Sequence, residues 1–187
     1  MDDAVFRRII THVGATVGGT YGRQGREHLI ARLVGYNRAA AHSPWVVLLD
    51  LDDDPCAPGL VHENLPCPHP NMALRVAIRS IEAWLMADRE RFARHLAISP
   101  TRIPQDPEAL TSPKQEVVRL AAQSRQANVR QLMVPPHGSH HRTGPGYTSH
   151  LIRFAEDEQA GWRPDIAASS ADSLRRCLTR IALLSAK

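Results

Sequence analysis

Lysine is nearly missing from this chain. Of its 23 lysines and arginines, only Lys114 and Lys187 are lysines. Cysteine is scarce as well: Cys56, Cys67 and Cys177 are few and odd in number, which argues against a disulfide framework. No apolar run approaches the roughly 20 residues of a membrane span. No charged-then-apolar leader opens the chain, so the cytoplasm is the expected compartment. A glycine-rich stretch, Gly18 to Gly25, lacks the Gly-Lys-Ser/Thr ending of a nucleotide-binding P-loop, although it could still hold a phosphate on backbone N–H groups. There is no internal repeat.

What is present is a globular balance of 43% hydrophobic and 22% charged residues over 187 positions, enough for one domain or one domain with an extension. The net charge of +4 is unevenly spread. Residues 111–187 carry 11 basic against 6 acidic side chains, whereas residues 1–110 carry 12 against 13. Guanidinium forks suit phosphate recognition. Arginine in place of lysine also follows from GC-rich coding, so composition by itself is weak support for a nucleic-acid partner.

The most informative stretch is Trp45–Asp54. Five consecutive apolar residues predict a buried strand covered on both faces. The strand runs into Asp50, Leu51, Asp52, Asp53 and Asp54. Alternation places Asp50 and Asp52 on one side of the strand end. Carboxylates so crowded repel one another unless a cation lies between them, and a hard ion such as Mg²⁺ is the natural one. A solvated acidic turn is the plainer alternative.

Around this strand the pattern predicts helices and further strands. Residues 1–13 read as a helix capped by Asp2 or Asp3 and ended by Gly14, followed by a short strand at Ala15–Val17. A helix follows over Arg26–Ala41, with Ser43-Pro44 as punctuation. Asp54–Pro70, with its five prolines, reads as a loop. Its Cys56, His62, Cys67 and His69 lack zinc half-site spacing. Met72–Ile78 predicts a second long strand leading into Ser80–Ala87, where Glu82 is the one charge in an apolar run. Asp88 reads as the cap of a helix over Arg89–Ala97. Ser112-Pro113-Lys114-Gln115 reads as a capping box opening a helix to about Gln126, with a further helical stretch over Asn128–Val134. Pro135–Gly146 is a basic loop holding His137, His140, His141 and Arg142, and helices over Tyr147–Glu158 and Ser170–Leu184 close the chain. Helices alternating with strands predict an α/β fold with a parallel sheet. In such sheets ligands sit outside the carboxyl ends of strands, where Asp50, Asp52 and Glu82 would meet.

The motifs Val-Leu-Leu-Asp-Leu-Asp-Asp-Asp, Ile-Glu-Ala-Trp-Leu-Met-Ala-Asp, Ser-Pro-Lys-Gln and Gly-Pro-Gly-Tyr-Thr-Ser resemble a Toprim-clan family related to OLD-type nucleases and phage-defence effectors. The resemblance covers most of the chain. It implies a Toprim-like Rossmannoid α/β core over residues 1–98 and a mainly helical extension over 99–187 packed on it. It also implies Mg²⁺ or Mn²⁺ on Asp50 and Asp52, with Glu82 matching an acidic position of the narrower family and Asp54 nearby as a further ligand. A Toprim fold begins with a strand ending in a catalytic Glu; this sequence enters its first helix at Met1, and Glu27 and Glu63 stand in the wrong places to replace that group.

The expected function is metal-dependent phosphodiester cleavage of nucleic acid, with Asp50, Asp52 and Glu82 as catalytic residues and Arg23, Arg26, Lys114 and Arg142 neutralising phosphate. An ATPase protein is an expected partner, and a membrane is not. The alternative is a catalytically weak Toprim-like module that docks on an ATPase or on nucleic acid. A third possibility is a phosphotransfer or phosphatase enzyme on a small phosphorylated substrate, since Asp-x-Asp after a strand also serves that chemistry; its haloacid-dehalogenase-like signature needs Thr or Val where Asp53 stands.

Overall fold

The computed structural model describes residues 1–22 and 24–186. Its centre is a parallel pair of strands, β1 (Trp45–Asp50) and β2 (Met72–Ala77), with Trp45 opposite Met72 and Asp50 opposite Ala77. Helices surround the pair: α1 (Asp2–His12), α2 (Arg26–Ala39), α3 (Ala57–Asn64), α4 (Ile81–Ala87), α5 (Arg89–Leu96), α6 (Pro113–Ala121), α7 (Ala127–Met133), α8 (Tyr147–Glu156), α9 (Pro164–Ala168) and α10 (Asp172–Ser185). The α/β class and the parallel pairing agree with the sequence reading. No helix among the described residues is long and apolar enough to cross a membrane.

Alternation along the strands separates two layers. Val47, Leu49, Met72 and Leu74 pack with Leu33 and Ala40 from the α2 side. Val46, Leu48 and Ala77 turn to the larger core. That core is one continuous cluster drawn from both halves of the chain, including Val5 and Ile9 of α1, Trp84 and Leu85 of α4, Phe92 of α5, Leu151 and Phe154 of α8, and Leu174 and Ile181 of α10. Two tryptophans inside it have no exposed surface, and both indole N–H groups find acceptors. Trp162 donates to the Trp84 carbonyl at 3.0 Å, and Trp84 donates to Ser173 Oγ at 2.7 Å.

Several local expectations are corrected. Ala15–Val17 is not a strand: it follows Gly14, whose φ of +75° ends α1, and no strand pairs with it, so Ala15 and Val17 pack as side chains against the core instead. The Asp54–Pro70 loop contains α3, because Pro58 lies in its first turn, where no helical N–H is lost, and Cys56 Sγ accepts from Gly59 N–H. Asp2 and Asp3 occupy the first turn of α1 and Met1 is the cap residue. Ser112 makes no side-chain cap bond, and α6 ends at Ala121, well before Gln126.

Asp88 does cap α5, accepting from Arg91 N–H at 3.4 Å, but its larger role is long-range. It is fully buried and takes a two-pronged grip from Arg163, Nε to Oδ2 at 2.9 Å and Nη2 to Oδ1 at 2.7 Å, with the Arg163 backbone N–H adding a third bond at 3.1 Å. This fastens the α8–α9 connection to the α4–α5 junction. Removing one partner of such a pair strands the other charge in the core. Arg163→Ala should therefore cost on the order of 3 kcal/mol in chemical denaturation, while Arg175→Ala, in a surface pair with Asp172, should leave the midpoint unchanged.

A second buried polar contact joins α5 to α8. The rings of His95 and His150 stack with centroids 4.1 Å apart, and His95 Nε2 bonds the His150 carbonyl at 3.0 Å. Burial, with His150 and Arg153 adding repulsion, pushes the His95 pKa down to about 4, and burial and Arg153 push His150 down too. A depressed folded-state pKa means that the unfolded chain takes up protons first. The contribution of His95 is thus present above about pH 6.5 and lost as pH falls toward about 4. Thermal midpoints should drop across that window, and His95→Gln should flatten the drop.

Candidate functional site

β1 and β2 end side by side, so whatever follows them converges. Leu51 N–H bonds the Ala77 carbonyl and Asp52 N–H bonds the Arg79 carbonyl, both at 2.9 Å, carrying the pairing past the strand ends. Asp50 is the last residue of β1, and Ser80 caps α4 just after β2. The Ser80 hydroxyl makes no cap bond; Asp50 Oδ1 instead accepts the Ile81 N–H at 3.0 Å, so a carboxylate from the neighbouring strand satisfies the start of α4.

Glu82, the lone charge in its apolar run, has no exposed surface. Both its oxygens accept hydroxyls: Ser80 donates to Oε2 at 2.7 Å and Tyr147 donates to Oε1 at 3.1 Å. Lys114 Nζ stands 3.9 Å from Oε1, beyond hydrogen-bond range, with more than half its side chain exposed. Burial, and then Glu82, push the Tyr147 phenol well above its ordinary range. Burial is also the main force on Asp50, followed by the negative charges of Glu82, Asp2 and Asp52. Together they outweigh the Ile81 N–H and push the Asp50 carboxyl up to about 8.

The acidic turn is organised differently. Asp52 has φ +49°, a left-handed conformation that ends the strand alternation. Its carboxylate pairs with Arg26 Nη1 at 3.3 Å, and Asp54 pairs with Arg26 Nη2. These carboxylates raise the Arg26 pKa further. Arg79 Nη1 donates to the backbone carbonyls of Asp52 and Asp54, both at 2.9 Å, and so fixes the turn from below.

Of the sequence-predicted residues, Asp50 and Glu82 meet at the strand ends, Lys114 stands beside Glu82, and Arg26 joins Asp52 and Asp54. Arg142 lies exposed on the loop before α8, with no contact to these carboxylates among the described residues. Arg23 lies outside the described residues. Sequence reasoning missed Arg79, Ser80, Asp2 and Tyr147. Tyr147 belongs to the quoted Gly-Pro-Gly-Tyr motif, which was the available signal. Two open depressions, of 470 and 480 Å³, lie away from the site, one along Arg38 and His69 and the other along Glu108 and Asp172.

Among the described residues no three His, Cys, Asp or Glu side chains converge closely enough to hold a metal ion. Asp50 and Glu82 nonetheless form an all-oxygen pair. Mg²⁺ is commonly held by one or two carboxylates, with water and substrate phosphate completing its shell. The donor set fits an open site of that kind and does not fit a closed protein cage.

A raised carboxyl pKa carries a definite stability signature. The contribution of Asp50 is fully present below about pH 4 and lost as pH rises through about 8. Asp50→Asn keeps an acceptor for Ile81 N–H and removes the charge. Without divalent cations the variant should be more stable than wild type at pH 8, by on the order of 1–3 kcal/mol. The gap should close by pH 4, as read from thermal melts in EDTA. Comparison of the chain with protein-family models, with curated proteins and with solved structures finds no match.

Proposed function

We propose that this chain is a Toprim-like, Mg²⁺-dependent hydrolase of nucleic-acid phosphodiesters. The observation that carries the reading is the Asp50–Glu82 pair at the carboxyl ends of two parallel strands. Holding the half-buried Asp50 close to the fully buried Glu82 is costly, and the cost would be relieved by a divalent cation shared between them. A carboxyl pushed up as Asp50 is belongs to the kind that clusters at functional sites.

When bound, the ion would polarise a phosphate oxygen and lower the pKa of a water. The chain's own residues do the rest. Ser80 and Tyr147 hold Glu82 in one orientation. The Ile81 N–H holds Asp50, whose carboxyl is pushed up to about 8 by burial and neighbouring carboxylates and would ionise more readily beside a bound cation. Lys114, exposed beside Glu82, supplies a cation at the mouth of the site for a phosphate. Arg26, paired with Asp52 and Asp54, would reach a phosphate only by leaving those partners.

One observation favours a second reading. Arg26 already neutralises Asp52 and Asp54, as it would in a module that binds nucleic acid or an ATPase partner without cleaving. A plasmid-nicking assay with Mn²⁺ separates the two. The hydrolase reading expects cation-dependent nicking that falls at least ~100-fold in Asp50→Ala and in Glu82→Gln. Mn²⁺ binding with no cleavage of plasmid or of single-stranded oligonucleotide would establish the binding module, and hydrolysis of phosphomonoesters alone would establish a phosphatase.

A further inference from the structure

The opposite end of β1 carries a feature that the carboxylates do not use. Tyr21, Trp45 and Tyr36 form a short aromatic ladder. Tyr21 and Trp45 stack with centroids 5.5 Å apart and planes 25° apart, and Trp45 and Tyr36 at 4.9 Å and 15°. Trp45 and Tyr36 seal the end of the smaller core, but Tyr21 leaves 67% of its surface in solvent. It is the most exposed large apolar side chain among the described residues.

The chain is shaped to put it there. Gly22 has φ +99°, and a Cβ on it would lie 2.4 Å from Leu29 Cδ2, so only glycine lets the backbone turn this tightly against α2. A Cβ on Gly19 would lie 2.9 Å from the Tyr21 hydroxyl. The glycine-rich loop thus lays a tyrosine flat on a tryptophan.

Charge surrounds the ladder. Arg32 lies one turn before Tyr36 on α2, and Arg38 lies just after it; both are exposed and make no ion pair among the described residues. α2 runs from Arg26 at the acidic turn to Tyr36 at the ladder, about 15 Å at helical rise. Arginine, an exposed π-face and a path to the carboxylates therefore lie along one helix.

We propose that Tyr21, backed by Trp45 and Tyr36, is a stacking platform for an unpaired base, and that α2 guides a single strand from it toward the acidic turn. Bases have a π-face that an exposed, rigidly backed tyrosine can cover, and duplex bases are already stacked on one another. The proposal rests on the hydrolase reading for its purpose and names the substrate as single-stranded. The platform itself is tested without cleavage.

The test is binding of fluorescein-labelled oligothymidylate to the full chain in EDTA at low salt, read by anisotropy and by tryptophan emission. Trp84 and Trp162 are buried, so a change in emission reports Trp45. Wild type should bind the single strand more tightly than a duplex of equal length, with quenching. Tyr21→Phe should bind like wild type. Tyr21→Leu, which still covers Trp45 but offers no ring, should bind ~10-fold more weakly. Arg32→Gln should reduce the salt slope by ~1. Equal binding by the Phe and Leu variants, no quenching, or no binding at all would overturn the platform. Ring-dependent binding by a chain that shows no Mn²⁺-dependent cleavage would keep the platform and remove the hydrolase.

Discussion

Glu82 is a carboxylate with no exposed surface, and the fold around it is arranged to make that tolerable. Taking such a group out of water costs several kcal/mol after relaxation, a large share of the roughly 5–15 kcal/mol that holds a domain together. The offset comes partly from next door, where Ser80 donates, and partly from far along the sequence: Tyr147 donates from the start of α8, and the charge of Lys114 stands nearby in the first turn of α6. Tyr147 and Lys114 come to Glu82 only when α6 and α8 are docked against α4. One buried carboxylate thus ties the strand ends to the C-terminal helices.

Asp88, six residues on, shows what a purely structural buried carboxylate looks like in this molecule. It faces a guanidinium in fork geometry and two backbone N–H groups, so its charge is matched and its lone pairs are filled. Glu82 has hydroxyls, a lysine held off at 3.9 Å, and a second carboxylate near enough to raise the pKa of Asp50. A helix seven residues long has these two solutions at its two ends. No arginine bonds Asp50 or Glu82 among the described residues, and that difference from Asp88 is what the proposed metal site draws on.

What the sequence made legible is what local periodicity encodes. The apolar run of β1 and the strand pattern of β2 located both strands, although β1 is buried only at Val47 and Leu49 while β2 is buried at all but Arg75, and Glu82 stood out as the lone charge of its run. What stayed hidden depends on partners distant in the chain. Asp88 displays a cap in its neighbourhood, whereas Arg163 is 75 residues away and looks like part of a helix breaker. Prolines concealed α3, since their count reads as loop while their position in the first turn is compatible with helix. Ala15–Val17 has strand composition, but strands need a neighbour, and composition does not supply one. Alternation also misled at Asp52, where a left-handed residue redirects the chain and gives Asp50 and Asp52 different partners.

The same logic explains α2, which is an odd covering helix. Only Leu33 of its 14 residues is fully buried, and Val34 and Gly35 sit exposed on its outer side. A helix whose sole task was to cover the sheet would carry a wider apolar stripe. Here the two ends are spent elsewhere: Arg26 on the acidic turn, and Tyr36 on an aromatic stack that extends past the core into solvent. Its middle presents an arginine free of ion pairs among the described residues. Its weak amphipathicity follows from those two ends, one given to the acidic turn and the other to the aromatic stack at opposite ends of the one strand it covers.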